Sequence, residues 1–195
     1  MKPPRPAAAT LAAFVVILVV VGLVGGVLLW ATDGATAIQV GDRTVSRETL
    51  NDELREWAEF GPARARTTTG AVTGAAGAGI ATQVVYELLA QQYLDRTGES
   101  VTASDRAEAR DSVASVEQEF EARPRWWQER YLDRRATYNA ITRLVGTDDQ
   151  FTEEFRVLRR EARRTDVSVD PAYGRWAPAR AVVVQYPTPF TPAAG

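Results

Sequence analysis

The chain of 195 residues has no cysteine and no histidine, and Lys2 is its one lysine among 23 basic residues. Without cysteine there is no disulfide, no thiol nucleophile, no thiolate metal site and no residue to carry a thioether lipid anchor. Without histidine, the Ser-His and Cys-His pairs that activate a nucleophile cannot be assembled, and the commonest metal ligand is missing. A positive surplus is also lacking. Setting Lys2 and Arg5 aside leaves 21 basic residues against 25 acidic ones, a balance of −4 that argues against a nucleic-acid partner. Abundant alanine and the near-exclusive use of arginine fit GC-rich coding and carry no functional weight.

One stretch lacks charge of either sign. Ala7 to Trp30 is uncharged and apolar on every side, long enough to span a bilayer and too apolar to be hidden by a chain with 25% charged residues. Lys2 and Arg5 precede it and the acidic Asp33 follows, which keeps the amino terminus cytoplasmic and sends the rest outward. The expected organisation is a cytoplasmic tail (1–6), a transmembrane anchor (7–30), a linker (31–36), one helical domain (37–176) with a flexible loop (61–79), and an extended, partly disordered tail (177–195). A cleaved signal peptide is the competing reading, because Ala35-Thr36-Ala37 has the small-x-small form of a cleavage site. The greater length of the apolar run favours an uncleaved single-pass anchor in the cell membrane.

The domain is expected to be mainly α with a small β component. Ala37 to Val40 and Arg43 to Val45 flank Gly41-Asp42 as a hairpin, and Ser46 caps a helix on which Leu50, Leu54 and Trp57 share a face. Residues 64–79 are mostly threonine, alanine and glycine, read as a loop or a frayed helix start. The glycines of 74–79 lack the Gly-Lys-Ser/Thr of a phosphate loop. Ile80 to Thr97 carries a wide apolar stripe beside a polar one of Gln83, Glu87, Gln91 and Asp95, with Gly98 as its left-handed stop. Thr102 and Asp105 form a capping box for a helix running through Ala109, Val113, Val116 and Phe120 to Pro124.

A fourth helix follows, with Trp127, Tyr131, Tyr138, Ile141 and Val145 in register. Thr147 and Gln150 cap a fifth that presents Phe151, Phe155, Leu158 and Ala162 on one face. Its other face carries Arg156, Arg159, Arg160, Arg163 and Arg164, and Glu153, Glu154 and Glu161 among them suggest a solvated ion-pair face rather than a binding surface. Asp148-Asp149 and Glu153-Glu154 are read as complementing a helix dipole, not as acid–base pairs. Asp166 to Val169 and Ala181 to Tyr186 read as extended. Neither catalytic residues, metal nor cofactor are expected.

Three segments together carry a resemblance: the hairpin Ala37-Ile38-Gln39-Val40-Gly41-Asp42-Arg43-Thr44-Val45-Ser46 leading into a helix, Val84-Val85-Tyr86-Glu87-Leu88-Leu89 ending at Gly98, and Val101-Thr102-Ala103-Ser104-Asp105. To these is added the closing Val169-Asp170-Pro171-Ala172-Tyr173-Gly174-Arg175-Trp176, with Ala172 where arginine is typical. The layout resembles the amino-terminal domain of SurA-type periplasmic chaperones, in the membrane-anchored forms of GC-rich Gram-positive bacteria. The resemblance implies a helical cradle whose opening hairpin pairs with its closing strand and which holds exported polypeptides without chemistry. The parvulin isomerase domain of many relatives is expected to be missing, since no room for it follows Trp176. Val169, Asp170, Pro171, Tyr173, Gly174 and Trp176 are then structural. Trp126, Trp127 and Tyr131 are the candidate client-binding residues, with Trp127 packing on Tyr131 and Trp126 nearer the surface. The partners expected are the bilayer and either unfolded exported polypeptides or, as the alternative, one dedicated envelope or membrane protein.

Overall fold

A computed structural model of the chain describes residues 35–60, 72–146 and 150–186. The apolar run 7–30, residues 61–71 of the expected loop, the Thr147 cap, the Asp148-Asp149 pair and the segment from Pro187 lie outside the described residues, as do the side chains of Glu153, Glu154, Phe151 and Phe155. No helix among the described residues is long and apolar enough to cross a membrane.

The fold is mainly helical with two small antiparallel sheets. Strand β1 (Thr36–Val40) buries Ala37, Ile38 and Val40 while Gln39 faces water. Gly41, at a φ of 60°, turns the chain directly into β2 (Arg43–Ser46), because glycine takes the left-handed conformation without a Cβ penalty. The Ser46 hydroxyl accepts from the Thr49 N–H and starts α1 (Arg47–Phe60), which turns Leu50, Leu54 and Ala58 inward.

The central helix, α2 (Gly74–Thr97), settles the two readings of residues 74–79 in favour of a helix start and corrects the loop drawn up to Gly79. Thr73 caps it by accepting from the Ala76 N–H, and Gly74, Ala76, Gly77 and Ala78 are buried. Small side chains here permit close approach rather than disorder: a Cβ on Gly74 would collide with the Gln185 amide. Gly98 ends the helix at a φ of 71°. The Thr102–Asp105 capping box then opens α3 (Ala103–Asp111), each residue's side chain accepting from the other's backbone N–H. The single helix expected through Phe120 is instead broken into α3, one 3-10 turn at Ala114–Val116 and the short α4 (Glu117–Glu121). Ala109, Val113 and Phe120 are nevertheless all buried, as their spacing required.

Pro124 leads into α5 (Arg125–Val145), and α6 (Gln150–Ala162) returns the chain to the sheet. There β3 (Val167–Val169) pairs antiparallel with β1, Ile38 opposite Val169, giving the order β2-β1-β3. The chain does not end its structured part at Trp176. Strand β4 (Arg175–Ala177), at the expected end of the domain, and β5 (Val182–Val184), inside the extended Ala181–Tyr186 segment, form a second hairpin. It is fastened to α2, where the Thr82 hydroxyl accepts from the Val183 N–H at 2.9 Å and the Tyr86 hydroxyl donates to the Ala181 carbonyl.

Gly174 makes that hairpin possible. Its φ is 127°, and a Cβ there would lie 2.6 Å from the Val184 carbonyl oxygen. Gly174→Ala is expected to lower stability by about 1–3 kcal/mol, read as a shifted denaturant midpoint with an unchanged slope.

Candidate functional site

The candidate client-binding residues lie where α4 turns into α5. The Gln128 amide donates to the Glu121 and Arg123 carbonyls, satisfying the end of α4, and Arg123 reaches back to Glu59 of α1 at 3.2 Å. Consecutive helical residues diverge by about 100°, so the paired tryptophans separate. Trp127 is 1% exposed and Trp126 41%.

Trp127 sits inside an aromatic cluster. It stacks on Tyr131 at 5.4 Å, meets Trp57 edge-on at 5.6 Å and lies 5.9 Å from Phe120. These centroid distances are those at which aromatic quadrupoles attract. Buried this way, Trp127 cannot touch a client, which corrects its place among the contact residues. Tyr131 is half-buried and packs on Phe120 at 5.5 Å. Of the three, Trp126 is the residue presented to solvent. Among the described residues, only Tyr186 is a second large apolar side chain so exposed.

On the same helices, about one turn from Trp57 and Tyr131, lies a charged cluster that the sequence reading missed. Glu53 of α1, Glu87 of α2 and Arg134 of α5 are all buried, and Arg130 is half-buried beside them. The Arg130 Nε donates to Glu53 Oε2 at 2.8 Å and the Arg134 Nε to Glu87 Oε2 at 2.9 Å. Arg134 also makes a close ion contact with Glu53, and Arg130 Nη2 lies 3.7 Å from Glu87. Burial pushes the Glu53 carboxyl up, but the Arg134 and Arg130 guanidiniums outweigh it and hold the group below the usual carboxylate range. Burial likewise opposes the charge on Arg134, and the two carboxylates more than restore it. Two cations facing two anions form a neutral unit that holds α1, α2 and α5 in one arrangement. Glu87 therefore leaves the exposed polar stripe to which its spacing assigned it.

The arginine face of α6 also differs from expectation. Arg156, Arg159 and Arg160 of the helix, and Arg163 and Arg164 just past its end, are exposed, but Glu161 is 2% exposed and turns inward. It accepts from Arg96 of α2 at 2.8 and 3.2 Å, a bidentate pair between helices rather than part of a solvated lattice on α6.

The closing motif is built into the frame. Val169 pairs with Ile38, the Asp170 carboxylate pairs with Arg47, and the buried Tyr173 donates its hydroxyl to Asn51 at 2.8 Å. Pro171 lies in the turn before Gly174, and Trp176 packs half-buried against the main core. Compared with known proteins, the chain matches no family model, no curated protein and no solved structure.

Proposed function

We propose that this protein is a membrane-anchored, extracytoplasmic, chaperone-like binder of unfolded or partly folded exported polypeptides, working without catalysis. The anchor is the apolar run 7–30 behind Lys2 and Arg5. The observation that carries the reading is the indole of Trp126, exposed to solvent on a helix whose Trp127, Tyr131 and Arg134 pack into the aromatic and ionic clusters. An exposed aromatic on rigid support loses little entropy when it meets a transiently exposed apolar side chain. The finer architecture, a SurA-like helical cradle, is supported by the pairing of β1 with β3 and by the Asp170–Trp176 turn locked onto α1.

The full chain, purified in mild detergent, is expected to suppress aggregation of an unfolded client at near-stoichiometric ratio. Failure at large excess would end this reading. Trp126→Ala is expected to remove most of that suppression while changing stability by no more than about 0.5 kcal/mol, as for other surface positions. A fall of several degrees in melting temperature would instead make Trp126 a structural residue. Crosslinking in intact cells separates this from a dedicated adaptor, which would yield one dominant partner.

A further inference from the structure

We propose that the surface around Trp126 selects cationic–apolar client segments, those in which arginine or lysine adjoins an aliphatic or aromatic residue. This rests on the client-binding reading above and adds the chemistry of the ligand.

Trp126 stands in the first turn of α5, a few residues beyond α4, whose Glu117, Glu119 and Glu121 are all exposed. None of these three makes an ion pair among the described residues. The basic residues nearby are engaged: Arg125 pairs with Glu129 at 2.8 Å, and Arg123 with Glu59. The surface thus keeps unspent negative charge. A helix of five residues is about 7.5 Å long, and its step of about 100° puts Glu117 and Glu121 on one side, within a short extended peptide's span of the α5 start, with Glu119 on another side.

A single indole offers little apolar area, and charge must supplement it. Tryptophan is the strongest cation–π acceptor, and a guanidinium can stack on its face while its N–H groups reach a carboxylate. An anionic membrane surface is disfavoured, because the same carboxylates repel phosphate head groups. Acidic clients are disfavoured for the same reason.

The test uses the full chain and three dye-labelled peptides of equal length and identical apolar residues, flanked by arginine, glutamine or glutamate, read by fluorescence anisotropy. The arginine peptide is expected to bind at least tenfold more tightly than the glutamate peptide, with the gap narrowing in 0.5 M salt. Trp126→Ala should weaken both the arginine and the glutamine peptides, and the arginine peptide more, because it also loses the stacked guanidinium. The combined Glu117→Gln, Glu119→Gln and Glu121→Gln variant, its melting temperature checked, should weaken only the arginine peptide, by fivefold or more. Equal affinity for the three peptides, indifference to Trp126→Ala, or Trp126-dependent binding to anionic phosphatidylglycerol vesicles in place of peptide would each overturn the proposal. Aggregation suppression without charge preference removes this inference and leaves the chaperone reading. Charge-selective binding without suppression does the reverse.

Discussion

Arg134→Ala is expected to destabilise the protein by about 3–5 kcal/mol at neutral pH, because it leaves a buried carboxylate facing another with only part of their countercharge. Both carboxylates are buried, and Arg130, the remaining cation, lies partly in solvent. That loss is a large share of the 5–15 kcal/mol typical of a domain. The pH dependence carries the sign. In the intact protein Glu53 is held below its unfolded value of about 4.3, so its contribution is complete above that value and is lost as pH falls through the lower folded one. Without Arg134 the burial that pushes Glu53 up faces weaker opposition, and a group raised above its unfolded value favours folding at lower pH. The stability gap between wild type and Arg134→Ala should therefore narrow on acidification from pH 7 to pH 4. Denaturant titrations at both values check it, and a constant gap would show that Arg134 acts by packing alone.

Trp127→Ala should be comparably damaging, about 3–5 kcal/mol, as for other large aromatic truncations in cores. Its ring meets Trp57, Phe120 and Tyr131, so one deletion removes three aromatic contacts and opens a cavity between α1, α4 and α5. The informative comparison is with its neighbour. Trp126→Ala should leave the melting temperature nearly unchanged and remove most client protection, whereas Trp127→Ala should lower the melting temperature and impair protection only as folding fails. Near-UV circular dichroism, sensitive to immobilised indoles, should fall strongly for Trp127→Ala alone. Similar stability losses for both would mean that the two indoles share one structural role.

Local chemistry was legible in the sequence wherever neighbouring residues decide the outcome. The Ser46 cap, the Gly41 turn, the Gly98 stop and the Thr102–Asp105 box all depend on groups within a few positions of each other. The divergence of Trp126 and Trp127 followed from helix geometry. What depended on distant partners was harder to read. Glu87 looks solvent-facing until Arg134, 47 positions away, is brought to it. A signal did exist: Glu53 lies three residues after Leu50, Glu87 three after Val84 and Arg134 three after Tyr131, each on the apolar stripe of its helix. Charges of opposite sign at core positions on three helices are the pattern of a buried ion unit. The glycine- and alanine-rich start of α2 was misleading for another reason, since low side-chain bulk marks both loops and close packing, and the Gln185 contact decides between them.

The pairing of β1 with β3 also sets a timetable. Strand β1 is synthesised long before its second neighbour, which begins only at Val167, so the central strand keeps an open edge until all the intervening helices have been made. Closing so long an intervening segment is entropically costly and slow. Nascent chains arrested before Val167 should accordingly remain protease-sensitive at the amino-terminal strand and acquire resistance abruptly once the final strand of this sheet is complete.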